Sequence, residues 1–240
     1  MVDVVIPHYG SDSTLFKCTD SIQETPLVGE FFIENNNEEN LGFTKAVNNG
    51  IIKSLENPSV PYVAIVNNDT TFLEGQDPFY SMVARMEGDP KIAVCGPTIV
   101  KDDNHDQIIH AGGVQCFPNG IHRTGLRSLN QCQEASLEKW LSFVVVVIRK
   151  SVFTRIGLLD EKMWLICSDS DFCYRARYCG YKCAYEPGEV WTHQVGESGK
   201  ATSDWSYKTQ RRDAFRFFQK WIEPGGLFGE LDAELLSDAV

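Results

Sequence analysis

Residues 2–69 read VDVVIPHYGSDSTLFKCTDSIQETPLVGEFFIENNNEENLGFTKAVNNGIIKSLENPSVPYVAIVNND. The run 2–6 (VDVVI) is short and apolar and is ended by Pro7, the pattern of a buried strand entering a loop. Residues 13–25 read as a helix, with Ser11 or Ser13 as its cap. FFIE at 31–34 reads as a second strand, followed by the polar loop NNNEENLG. Phe43, Ala46, Val47 and Ile51 recur at helical spacing over 43–55. YVAIV at 62–66 is a third buried strand, and Asn67-Asn68-Asp69 follows it directly. Strand, helix, strand, helix, strand in this order predicts a parallel α/β sheet. Ligands of such sheets bind beyond the carboxyl ends of the strands. Here those ends carry Pro7-His8-Tyr9, Glu34-Asn35-Asn36 and Asn68-Asp69.

Downstream, the pattern predicts a helix over 76–88 and a strand at 91–96 (KIAVCG). Residues 98–127, with Gly112-Gly113, Pro118 and Asn119-Gly120, read as a hairpin excursion. LSFVVVVIR at 141–149 is a central strand. A short helix follows, with Gly157 as its stop. Residues 170–179 read as a helix, YKCAYEP and EVWTH as two strands, and 206–222 as an amphipathic helix. The division expected is a catalytic domain over 1–222 and a loosely attached tail over 223–240.

The chain has 240 residues, a formal charge of −11 and eight cysteines. That surface repels phosphate backbones, so no nucleic-acid partner is expected. No transmembrane segment is visible, and VDVVIP lacks the features of a signal peptide. The expectation is a cytoplasmic chain that meets any membrane-bound acceptor peripherally, with free thiols. The gaps between Cys167, Cys173, Cys179 and Cys183 do not fit a zinc module.

Two stretches carry chemistry. A strand-terminal carboxylate such as Asp69 can hold a divalent ion on a diphosphate, and Asn-Asp-Thr is equally a turn that ends a strand. In Ser168-Asp169-Ser170-Asp171, two residues along a helix turn about 200°, so the aspartates face different ways. Asp171 suits an ion pair with Arg175, leaving Asp169 for a cleft as general base. As a simple helix cap the same SDSD would need no function. Trp164 can stack on a sugar ring or fill a core rim. His193 ends a strand before QVGESGK and can ligate a metal or hydrogen-bond at the strand end. Lys200, Arg211 and Arg212 can clamp a diphosphate or form a solvated face. His8, His105, His110 and His122 show no ligand spacing and are assigned nothing. GxGxxG, P-loop and GxSxG motifs are absent.

The pieces VVIPHYG, ENNNEENLGFTKAVNNGI, VNNDTTF, GLLDEKMW, SDSDFCYRARYCGYK, WTHQVGES and QRRDAFRFFQKW, in register over residues 2–221, resemble the inverting family-2 type glycosyltransferases of the GT-A fold, in particular their rhamnosyltransferase-like members. The resemblance implies a Rossmann-like, mixed, mostly parallel sheet flanked by helices. It implies a nucleotide-sugar pocket of Pro7, Tyr9, Glu34, Asn36 and Asn68, shaped by Asn40, Gly42, Phe43 and Asn48, with Arg212 from the late helix. Asp69 and His193 would hold Mn²⁺ or Mg²⁺, and Asp169 would be the catalytic base. Trp164, Asp171 and Gly113 would face the acceptor. The chain departs from the family pattern at Gly10 (usually Asn), Glu34 (usually Asp), NND in place of DXD, Ser168 (usually acidic) and Asp213 (usually Asn).

The implied reaction moves a hexosyl or deoxyhexosyl group from a UDP-, GDP- or dTDP-sugar to a hydroxyl of a saccharide or glycan acceptor, with inversion. Two rivals share the fold: a sugar-1-phosphate nucleotidyltransferase and a non-catalytic carbohydrate- or nucleotide-binding module. The first wants a basic phosphate loop after the first strand, which PHYGSDST lacks.

Overall fold

The computed structural model describes residues 1–23, 25–75, 77–116, 119–122, 132–194 and 203–221. Strand β1 (Val2–His8) is buried along its whole length. Its side chains alternate between two cores, Val5 to one face and Val2, Val4 and Ile6 to the other, as a strand covered on both sides requires. Helix α1 (Asp12–Asp20) is capped by the Ser11 hydroxyl, which accepts from Ser13 N at 3.2 Å. Strand β2 (Val28–Asn35), helix α2 (Phe43–Leu55) and strand β3 (Tyr62–Val66) follow.

β1 pairs in parallel with both β2 and β3, giving the order β2-β1-β3. The first connection therefore moves one way across the sheet and the second moves back. Right-handed crossovers then put the two helices on opposite faces. α1 accordingly packs Leu15 and Cys18 into one core, and α2 packs Val47 and Ile51 into the other. The reversal opens a crevice at the carboxyl ends of β1 and β3. α2 sits close on the sheet because residue 50 is glycine: a Cβ there would lie 2.4 Å from a Val5 methyl.

The chain continues through β4 (Thr70–Glu74), α3 (Tyr80–Gly88), β5 (Ile92–Lys101), β6 (Asn104–His110), β7 (Gly113–Cys116), β8 (Asn119–His122), β9 (Ser136–Glu138) and β10 (Val145–Arg149). A 3₁₀ turn at Lys150–Val152 leads into α4 (Phe153–Ile156), which stops at Gly157 with φ 75°. Then come α5 (Ser168–Tyr178), β11 (Lys182–His193) and α6 (Ser203–Trp221). The main sheet runs β2-β1-β3-β10-β5-β11-β4, with β6 on β5 and β9 on β11, while β7 and β8 form a separate hairpin. β10 is antiparallel to β3 and β5, and β4 is antiparallel to β11. The remaining strands of that path share one direction, so the sheet is mixed and mostly parallel. α6 docks on α5 through Tyr174, Phe217 and Trp221.

α2 and β3 have the bounds expected of them. Elsewhere the structure corrects the expectation. β11 is one strand where two were expected: Pro187-Gly188 reads as a break but sits in a register shift between Tyr185 and Val190, an irregularity that accommodates proline. β5 likewise runs through Gly96-Pro97 to Lys101. α1 ends at Asp20 rather than 25, and α3 starts at Tyr80 rather than 76. α5 starts at Ser168 rather than 170, and α6 at Ser203 rather than 206. β4 (TTFLE) and β9 (SLE) carry no apolar run of the kind that marks β3, and the sequence does not announce them. Lys200, most of QVGESGK and the 223–240 tail lie outside the described residues.

Candidate active site at the strand ends

Three strand ends meet over the crevice. Asp69 follows β3, and β4 pairs antiparallel with the end of β11 so that Thr70 faces His193. That register brings His193 Nε2 to 3.3 Å from Asp69 Oδ1, with the two side chains 15% and 8% exposed. Gln194 N donates to the Asp69 carbonyl at 2.9 Å. Across β11, Thr192 Oγ1 donates to Asp102 Oδ1 at 2.9 Å. Among the described residues His193 Nδ1 and Asn67 Oδ1 are buried without hydrogen-bond partners, a state that native interiors seldom leave unexplained.

This pair fits a hard divalent ion. It offers one carboxylate oxygen and one imidazole nitrogen, and among the described residues no group of three or more His, Cys, Asp or Glu assembles. Mg²⁺ and Mn²⁺ in nucleotide sites commonly take one or two protein donors and fill the remaining positions with phosphate oxygens and water.

His8, set aside in the sequence for want of ligand spacing, is the hub of the crevice floor. It is 2% exposed. Asn68 Nδ2 lies 3.0 Å from His8 Nδ1 and also reaches the Tyr9 carbonyl and Thr14 Oγ1 at 3.3 Å each. The Asn68 amide thus donates, so His8 Nδ1 accepts and Nε2–H is left to donate to Asp12 Oδ1 at 2.8 Å. Asn37 bonds the Gly10 backbone in both directions, 2.8 Å to N and 3.2 Å to O, and lies 3.2 Å from His8 Nε2. With Nε2–H given to Asp12, Asn37 is a close neighbour of the ring rather than its hydrogen-bond partner, so the imidazole ties the loops after β1 and β3 together while Asn37 holds the loop after β2 through Gly10. Its signal in the sequence was its place at the end of a buried strand.

Pro7 is buried and pairs with Glu34 across β1 and β2, while Tyr9 is 37% exposed at the rim. Glu34 holds Lys53 at 2.6 Å. Asn36 is 3% exposed and bonds Gly42 O at 3.4 Å, and Asn40 Oδ1 accepts from Gly42 N at 3.0 Å. Gly42 has φ 84°, and a Cβ there would fall 2.4 Å from the Trp164 ring. Trp164 thus packs on the loop after β2, and its carbonyl accepts from Thr44 N at 3.3 Å. Phe43 packs against the core beside α2. Asn48 is buried on the protein side: Nδ2 donates to Leu159 O at 2.9 Å and Oδ1 accepts from Leu159 N at 3.0 Å.

Asp169 lies in the first turn of α5. Cys167, just before it, holds φ 67° and is the sole non-glycine residue with positive φ among the described residues. Such strain collects at functional sites. Burial pushes the Asp169 carboxyl up from its ordinary range. The Ser170 backbone and hydroxyl, the Trp140 indole and the Phe143 backbone oppose that shift. Ser170 N donates to Oδ1 at 2.7 Å. Asn67 N donates to Val144 O at 2.8 Å, which joins the segment beside Asp169 to the strand end that bears Asp69. Burial and the neighbouring aspartates push the Cys167 thiol up to about 12, so it stays protonated.

Asp171 is fully buried and takes three donors: Arg175 Nε at 2.8 Å, Trp221 Nε1 at 2.8 Å and Lys220 Nζ at 2.7 Å. The expected pairing with Arg175 is present, and the carboxylate binds α5 to α6 with no exposed face toward an acceptor. Asp213 likewise holds the backbone ahead of α5, accepting from Leu165 N at 2.7 Å and Ile166 N at 3.2 Å. Arg212 leans on Asp213 at 3.2 Å but is 46% exposed. Gly113 is buried, and its carbonyl accepts from Trp140 N at 2.9 Å.

No family model and no curated protein matches the chain. The likeness lies among solved structures. A crystal structure of GalNAc-T7 with UDP, GalNAc and Mn²⁺ aligns over 100% of this chain at TM-score 0.65 and 15% identity. The fold is GT-A. This chain spans 54% of that GalNAc-T7 chain. A197 from STIV aligns over 82% of this chain and 86% of its own at TM-score 0.51 and 12% identity. At such identities the likeness establishes the GT-A fold alone. None of the described helices is long and apolar enough to cross a membrane.

Proposed function

We propose that the chain is a metal-assisted, inverting glycosyltransferase that moves a hexosyl or deoxyhexosyl group from a nucleoside-diphosphate sugar to a saccharide hydroxyl. The observation that carries this reading is the Asp69–His193 contact at the β1/β3 crevice, with Asp169 joined to the same strand end through residues 140–144. The presence of UDP and Mn²⁺ in the GalNAc-T7 structure supports the donor class and a divalent ion. Asp69 and His193 would hold Mn²⁺ or Mg²⁺, which when bound offsets the charge developing on the departing diphosphate. The loops tied by His8 would seat the nucleotide, with Glu34, Tyr9 and the Asn36–Phe43 loop along its edge and Arg212 reaching the phosphates.

Asp169 takes the proton of the acceptor hydroxyl. The hydroxyl oxygen bonds to the anomeric carbon as the bond from that carbon to the phosphate oxygen breaks. The nucleoside diphosphate leaves with the electron pair, and configuration inverts. A buried carboxylate with a raised pKa is a stronger base than one in water, which suits this step.

Asp169→Asn should reduce transfer by about 10²–10⁴-fold while donor binding persists. A thermal-shift panel of UDP-, GDP- and dTDP-sugars with and without Mn²⁺ should show one metal-dependent hit, and product NMR with that donor reads the anomeric outcome. Transfer near the wild-type rate in Asp169→Asn would sink the base assignment. Retention would sink the displacement.

A further inference from the structure

Trp140 enters neither the sequence reading nor the proposed reaction, yet its surroundings are those of a working side chain. It is 9% exposed, in the stretch between β9 and β10. Its backbone N donates to Gly113 O at 2.9 Å, and Gly113 and Trp140 form an isolated antiparallel bridge. On one side its ring meets His110 edge-on, with centroids 4.9 Å apart at 79°. His110 Nε2 in turn accepts from Ser142 N at 3.1 Å, fixing that imidazole against the same segment. The indole N–H lies against the Asp169 carboxylate. The N–H is buried and makes no hydrogen bond of full geometry. Downstream in this segment, the Phe143 ring packs on Phe172 of α5 at 5.7 Å. The Leu141 carbonyl accepts from Cys173 Sγ at 3.9 Å. The segment therefore rests on the first turns of α5.

A buried indole N–H without a full partner is unfavourable. It would close on Asp169 best when that carboxylate is ionised, because hydrogen bonds to a charged acceptor are stronger. We propose that Trp140 is a positioning residue for Asp169: its indole N–H aims the ionised carboxylate, and its backbone ties that carboxylate to the Gly113 strand. This rests on Asp169 being the general base, but the contact itself is testable without turnover. Among the described residues, the Cys167 and Cys173 thiols are titratable groups that interact electrostatically with Asp169. Burial raises both and keeps them neutral, with Asp171 and Asp213 acting on Cys167 from the α5–α6 side. Protonation of Asp169 is then the event the indole reports.

The chain has five tryptophans, so ¹⁵N-indole labelling of the intact protein gives a resolvable set of N–H resonances. Trp140 is assigned with Trp140→Phe or, if that variant does not fold, by elimination with single Phe substitutions at the other four. The Trp140 resonance should move upfield as pH falls through a midpoint above the ordinary carboxylate range, and should stop moving in Asp169→Asn. In Trp140→Phe the Asp169 midpoint, read by ¹³C-carboxyl NMR or as the acid limb of the transfer profile, should rise by about one pH unit. A Trp140 resonance that ignores pH, or that titrates unchanged in Asp169→Asn, overturns the proposal. Loss of transfer in Asp169→Asn with a silent indole would overturn it and leave the base assignment standing. A titrating indole in a protein with no transfer activity would do the reverse.

Discussion

The two ends of the sheet both bury polar groups, and they treat them oppositely. At the amino end, Lys150 follows β10 and meets Asp3 of β1 at 2.7 Å, with the two side chains 7% and 1% exposed. Every donor there has a use. Lys150 also reaches the carbonyls of Ser54 at 2.6 Å and Asn57 at 3.1 Å, and Asp3 takes Ser54 Oγ at 2.8 Å and Glu30 N at 3.2 Å. At the carboxyl end, Asp69 and His193 touch, but His193 Nδ1 and Asn67 Oδ1 have no partner among the described residues. A closed network holds a fold together, whereas an open one at a topological switch point is placed for a ligand. Burial of charge alone would not have separated them.

The largest effect should come from breaking the closed end. Lys150→Met leaves Asp3 buried and unpaired, which costs about 3–5 kcal/mol. Chemical denaturation should show that loss, while metal-dependent donor binding per folded molecule stays at wild type. A donor defect in that variant would mean the two ends are coupled and the contrast is false.

Next comes the open end. Asp69→Asn should leave denaturant stability within about 1 kcal/mol of wild type and abolish the Mn²⁺-dependent part of the donor thermal shift, worth about 2.7 kcal/mol at a ligand concentration 100 times Kd. A variant that unfolds but binds donor when folded would make Asp69 a structural turn residue.

The smallest effect tests a case between the two. Glu189, fully buried beside the irregularity of β11, accepts from Ser81 N at the start of α3, but its Oε2 has no partner among the described residues. Burial raises its pKa to about 7, with Glu186 adding to the shift and the Ser81 bonds opposing it. The folded state therefore binds this proton more tightly than the unfolded chain does. Its contribution is complete below the ordinary carboxylate range and is lost as pH rises toward 7. Denaturation midpoints should fall across that window, and Glu189→Gln should flatten the slope. An unchanged slope would assign the pH dependence elsewhere.

Much of the fold was legible because local patterns and tertiary packing agree. The helical spacing in 43–55 and the apolar run 62–66 carry their own boundaries, and β1 reads as a short apolar run, although the strand continues through Pro7 to His8. Asp69 and His193 were legible as strand-end residues, and the Asp171–Arg175 pair as a helical i, i+4 spacing. His8 was not, because its role is to bridge loops that are adjacent only when β1 and β3 lie side by side. Trp140 was not, because its partners His110, Gly113 and Asp169 come from three separate elements. β11 was misread because a proline signals a break locally, whereas the sheet tolerates it at a register shift.

The sequence alone determined the order of most strands and helices, through periodicities that depend on neighbours a few residues away. It also determined the chemical identity of the carboxylates and the histidine at the strand ends. The tertiary structure decided which of those groups are satisfied inside the protein, as Asp3 and Asp171 are, and which keep an unpartnered atom among the described residues, as His193 does at Nδ1. That difference is set by pairing across the sheet, by burial and by the positions of distant donors. These quantities come into being only when the chain is folded.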